Sequence, residues 1–162
     1  MAYTRTELHQ QILSKKTAVC DWFQSKSNNA FIPIYSSYDV RDAGYKVANV
    51  DANIYPAGFN NICPTDKETS IDLMRKYLDG RYGKDIQRIL LVTEEHTGNP
   101  YYWDNVATIK DLIESGGKKV RIGFGTQLPE PMTIKSASGH NVLVESAWGD
   151  SPLYKEFNPQ LI

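Results

Sequence analysis

The chain has only two cysteines in 162 residues, Cys20 and Cys63. That is too few for a disulfide framework, and no Cys–His spacing fits a zinc cluster. An excess of one charge is lacking too: 18 Lys and Arg stand against 19 Asp and Glu, a formal net charge of -1. The balance leaves no electrostatic footprint for DNA or RNA. No apolar run approaches the ~20 residues that span a bilayer. The opening MAYTRTELHQ has no apolar core of the signal-peptide kind. The expected compartment is the cytoplasm. The patterns GxxxxGKS/T, GxSxG and HExxH are absent, which excludes a P-loop, a hydrolase elbow and an HExxH zinc site. Gly123-Phe124-Gly125 lacks the third glycine of a dinucleotide loop and reads as an ordinary turn.

What is present suits a folded globular protein, with 41% hydrophobic and 23% charged residues. Residues 4–24 read as an amphipathic helix, with Thr4 and Glu7 at capping-box spacing and Leu8, Ile12, Val19, Cys20 and Phe23 near helical period. Phe31–Tyr35 reads as a strand, residues 36–44 as a polar connection, and Tyr45–Val50 as a second strand with Val47 and Val50 buried. Thr65 and Glu68 have capping-box spacing before a helix that closes near Gly80. Arg88–Thr93 is the clearest buried strand. Asp104 is the expected N-cap of a helix that Gly116 and Gly117 stop, and Lys119–Phe124 is a further strand. This strand–helix–strand unit favours a parallel pair. Residues 132–147 alternate around Ser138-Gly139-His140-Asn141 as a β-hairpin. The expected class is α/β, with a parallel sheet and a C-terminal antiparallel hairpin. Both cysteines read as structural, since nothing basic stands beside either.

Three loops are rich in groups that could grip a small polar ligand. Around residues 38–46, Arg41 could pair bidentately with a carboxylate, with Lys46 close by. The alternative there is a solvated turn with weak local ion pairs. In residues 51–61, Asp51, Asn53, Asn60 and Asn61 follow a strand, and Asn amides both donate and accept. A self-capped Ω-loop uses the same residues. Residues 94–103 bring Glu94, Glu95, His96 and Asn99 to a strand end, followed by aromatics that could wall a pocket. A structural histidine is the competing reading there.

The run IPIYSSYDVRDAGYKVANVDANIYPAGFNN and the later run LLVTEEHTGNPYYWDNVATIKDLIESGGKKVRIGF resemble, in order, two blocks of the proteobacterial ATP-grasp-type glutamate–cysteine ligase family. Together they cover most of residues 31–125. Glu95, before His96, departs from the Asn expected in that loop. The resemblance implies a Rossmann-like, pre-ATP-grasp-like domain over residues 1–130, with 131–162 starting an ATP-grasp half that lies further downstream in the much longer family members. It implies ATP-dependent joining of the glutamate side-chain carboxylate to the cysteine amine, the first step of glutathione synthesis. ATP and Mg²⁺ would serve the full-length enzyme, and none is expected on this chain alone. The matching polar positions are Arg41, Lys46, Asp51, Asn53, Asn60, Asn61, Glu94, His96 and Asn99. By charge, Arg41 and Lys46 suit substrate carboxylates and Asp51 or Glu94 an ammonium group. Expected partners are glutamate, cysteine and either the ATP-grasp half or a second copy. A non-catalytic amino-acid or peptide binding module is the alternative, and a purely structural domain the third.

Overall fold

The computed structural model describes residues 4–28, 30–53, 58–95 and 98–162. The chain divides into two compact units, Met1–Pro56 and Ala57–Ile162, each taken by itself below.

In the first unit, α1 (Arg5–Ser14) opens on the expected capping box: the Glu7 N–H donates to Thr4 Oγ1 at 3.3 Å and the Thr4 N–H to Glu7 Oε2 at 2.9 Å. The expected single helix is two. Ser14 Oγ donates back to the Gln11 carbonyl, and the Lys15 N–H is shared between Gln11 and Ile12, which tightens the turn before α2 (Lys16–Ser27) begins. No residue of either helix is buried, so the expected apolar face stays open, with Phe23 62% exposed.

The strands of this unit also differ from expectation. Residues 31–36 form no strand; Pro33 has no N–H for a ladder. The stretch expected as a polar connection instead contains β1 (Ser37–Asp42), which pairs antiparallel with β2 (Val47–Asn53). The turn closes through Ala43 N–H to the Lys46 carbonyl and Gly44 N–H to Asp42 Oδ1, with Gly44 at φ 82°. Pairing steps from Asp39↔Asp51 to Val40↔Asn49, which leaves Val50 as a bulge. Val47 and Val50 are exposed, not buried. Cross-strand pairing, rather than burial, makes these strands.

The second unit is the regular one. Short 3₁₀ turns at Phe59–Asn61 and Pro64–Asp66 lead into α3 (Lys67–Tyr82). The expected Thr65 cap is absent, because Thr65 Oγ1 donates to Cys63 Sγ instead. Then β3 (Arg88–Thr93) and β4 (Lys119–Phe124) pair in parallel over six positions, with α4 (Pro100–Ser115) as the crossover. Asp104 is not the cap: Asn99 holds that place, and Pro100 at the first helical position fixes the entry. The sheet continues through β6 (Asn141–Ser146) to β5 (Met132–Lys135), in the order β3-β4-β6-β5. The β4–β6 contact is parallel and covers two pairs; β5 and β6 pair antiparallel over four. Trp103 and Val106 of α4 pack on Ile122, Phe124, Val142 and Val144, each burial contributing about 1.5–3 kcal/mol. α5 (Pro152–Phe157) buries Leu153. Gly123 sits inside β4, where an added Cβ would lie 2.7 Å from Ala147 Cβ; close packing explains this glycine.

Candidate functional site

Residues directly opposite across a ladder share a face. The β1–β2 register therefore sets Ser37, Asp39 and Arg41 alongside Asn53, Asp51 and Ala48. Arg41 stands opposite Ala48 and has no ion-pair partner among the described residues. Asp51 accepts from the Ala52 N–H at 2.9 Å and from Asn53 Nδ2 at 2.8 Å. So Arg41, Asp51 and Asn53 are brought to one exposed face, and Lys46 stands at the turn beyond it. A guanidinium, a carboxylate and an amide carbonyl in that order complement an α-amino acid, which carries both charges.

In the second unit, Asn60 and Asn61 lie on the 3₁₀ turn after Gly58, whose φ of 124° favours glycine. What holds that turn is a residue outside the predicted set. Asn105, 8% exposed within α4, accepts from the Gly58 N–H at 2.7 Å and the Asn60 N–H at 3.3 Å, and donates to the Tyr101 carbonyl at 3.0 Å. A weak helix former amid Trp103, Asp104 and Val106 was the available signal.

The third group gathers at the C-terminal end of β3. Asn99 Oδ1 accepts from the Tyr101 N–H at 3.0 Å, so it caps α4. Tyr102 Oη accepts from the Glu94 N–H at 3.0 Å, and Thr126 Oγ1 donates to the Glu95 carboxylate. Thr93 Oγ1 is buried there with no hydrogen-bond partner among the described residues. His96 lies outside the described residues. From Asn99 to Asn105 is six helical positions, about 9 Å along α4, which sets the Glu94 and Asn60 groups along one helix.

Two electrostatic features went unread in the sequence. Asp104, buried in α4, accepts from the Ser138 N–H and Ser138 Oγ, both at 3.1 Å. The Ser136 hydroxyl above all, then Ser138 and the charge of His140, hold its carboxyl below the usual range against the opposing effect of burial. This carboxylate fastens the β5–β6 turn to α4. Cys63 is exposed, and the Thr65 hydroxyl, then the Thr65 backbone, pull its thiol below its ordinary value with no basic group involved. Cys20 is exposed as well.

Among the described residues no three His, Cys, Asp or Glu side chains converge to hold a metal ion, and no helix is long and apolar enough to cross a membrane.

Against this geometry the comparisons with known proteins can be set. The family model GshA, glutamate-cysteine ligase, matches residues 9–162. The chain belongs to the glutamate–cysteine ligase family. A crystal structure from Methylobacillus flagellatus KT, of a protein named by inference a gamma-glutamylcysteine synthetase, is similar at a TM-score of 0.78 and 30% identity. The similarity covers 90% of this chain and 36% of that one, so the chain spans little more than a third of that ligase-family relative. No curated protein matches the chain significantly. The expected family membership is thus borne out, and the mixed α/β class with it.

Proposed function

We propose that the chain forms the substrate-side part of an ATP-dependent glutamate–cysteine ligase and makes no γ-glutamylcysteine by itself. The observation that carries this reading is the family match over residues 9–162, on a chain whose described residues offer no acidic cluster for a nucleotide-bound metal. In this reading ATP and Mg²⁺ belong to the full-length enzyme. In this reading the β3–α4–β4 unit is the Rossmann-like, pre-ATP-grasp-like element, and the stretch from 131 onward leads towards the ATP-grasp half. Arg41 and Lys46 bind substrate carboxylate. In the first unit Asp51 receives an ammonium group with Asn53 beside it; in the second, Glu94 is the alternative for that group, and Asn60, Asn61, His96 and Asn99 are the further candidate contacts to substrate. Setting both ends of the glutamate backbone fixes where its side-chain carboxylate points, which is how such a part contributes to rate.

The test supplies the chain with ATP, Mg²⁺, glutamate and cysteine, alone and together with the remaining part of the Methylobacillus relative. Product only in the combined reaction is expected. Product from the chain alone overturns the fragment reading. No product in either reaction, with glutamate still bound by the chain, overturns the ligase reading in favour of a non-catalytic amino-acid binding module.

A further inference from the structure

A cavity of about 400 Å³ lies between the segment 59–67 and α4, within the range of small-ligand pockets. Its lining includes Phe59, Asn60, Lys67, Asp111, Leu112 and His140. Lys67, Asp111 and His140 are outside the set that the sequence pointed to. Phe59 and Leu112 are 6% and 2% exposed, so the apolar wall is fixed by the core behind it.

The polar rim has a particular chemistry. Lys67 Nζ stands 2.7 Å from Asp111 Oδ2, with both side chains about half exposed. A solvent-exposed pair of this kind is weak, so a third party opens it readily. A zwitterion supplies a better partner to each side: its carboxylate to Lys67, its ammonium to Asp111, both through charge-assisted hydrogen bonds. Asn60 adds an amide that donates and accepts, on a turn that Asn105 already holds through two N–H groups. His140 is set at the rim by the turn that Asp104 fastens, its N–H donating to Ser136 Oγ at 3.0 Å. The loop and the turn are therefore in place before a ligand arrives. The neighbouring cavity shares Asp111 and His140 with this one, and there Arg121 is already held by Glu145 and stacked over Phe157.

We propose that this cavity is a binding site for the head group of a zwitterionic α-amino acid, gripped by Lys67 and Asp111 and flanked by Asn60 and His140. The proposal rests on the substrate-side reading above and adds to it a second amino-acid site, made of residues other than Arg41, Lys46, Asp51 and Glu94.

The experiment follows backbone amide resonances of the full chain during titration with glutamate and with cysteine, to about 10 mM, the weak end of small-ligand affinity. Shifts are expected within residues 58–67, 107–112 and at His140. Lys67→Met and Asp111→Asn should each weaken binding about tenfold, with spectra unchanged away from the cavity. As a measurement independent of any variant, an N-acetylated amino acid and an amino-acid amide should each bind the wild-type chain about tenfold more weakly. Shifts confined to residues 37–53 overturn this site while leaving the ligase reading standing. An absence of shifts, equal binding by both variants, or equal binding of the blocked analogues also overturns it. The ligase reading falls separately, in the product assay.

Discussion

Asn105 Oδ1 lies 2.7 Å from the backbone nitrogen of Gly58, a contact across 47 residues of sequence. It ties a helix interior to the first residue of the turn that carries Asn60 and Asn61. Removing the acceptor strands two N–H groups at once, and a part-buried donor left without a partner costs about 1–3 kcal/mol. Asn105→Leu should lower stability by that order and speed amide exchange at Gly58 and Asn60. Asn105→Asp keeps the acceptor and should retain slow exchange at both. Equal exchange rates in the two variants would show that the bond does not hold the turn.

Asp104 makes stability depend on acid. Its folded pKa is lowered, first by the Ser136 hydroxyl, while the unfolded chain has the usual value of about 3.9. The contribution is fully present above the unfolded pKa and is lost as pH falls through the folded one. Urea unfolding compared at about pH 5 and about pH 3 should show a smaller loss for Asp104→Asn than for the wild-type chain. An identical loss would remove Asp104 from the acid response.

Arg41 predicts an effect on binding without one on folding. Its guanidinium has no ion-pair partner among the described residues and faces Ala48. Arg41→Ala should leave the melting temperature unchanged and raise the glutamate KM of the assembled ligase about tenfold, roughly 1.4 kcal/mol. Lys46→Ala, at the turn, should do less. A KM that does not move under Arg41→Ala takes this face out of the site.

Lys118 and Asp79 form a largely buried pair at 2.6 Å, with side chains 5% and 22% exposed. Breaking it from one side leaves a charge without its partner, at a cost of about 3–5 kcal/mol. Asp79→Ala should therefore destabilise strongly, and adding Lys118→Met should restore much of the loss. A double-mutant cycle by chemical denaturation measures this, and additive losses would show that the two charges act independently.

How far the fold was legible follows from where burial lies. β3 and β4 were readable residue by residue, since RILLVT and KVRIGF are apolar runs closed by turns, and they pair in parallel as that pattern implies. β1 was not, because Ser37, Asp39, Arg41 and Asp42 give it the composition of a loop; its pairing with β2 is a non-local fact. The two helix starts misread at Thr65 and Asp104 have one cause. Several cap-forming residues stood within reach, and tertiary contacts chose among them: Cys63 took Thr65, and Ser138 took Asp104. The same limit hid Asn105, Lys67 and Asp111 as neighbours of Asn60. Asn105 and Asp111 are far from Asn60 in sequence, and the packing of α3 and the 3₁₀ turn on α4 brings them, with Lys67, together.

The outer edge of β3 is closed by the chain's own residues: the Leu90 N–H donates to the Leu161 carbonyl at 2.9 Å, and Gln160 Oε1 accepts from the Gln87 and Arg88 N–H groups. A bare strand edge recruits further strands from other molecules. Here the first half of that edge is already paired, and the opposite margin of the sheet is the four-residue β5, preceded by Pro131 and ending in Lys135. The start of the chain's most apolar strand is thereby kept from pairing with a strand of another molecule, a protection against aggregation supplied by Gln160 and Leu161.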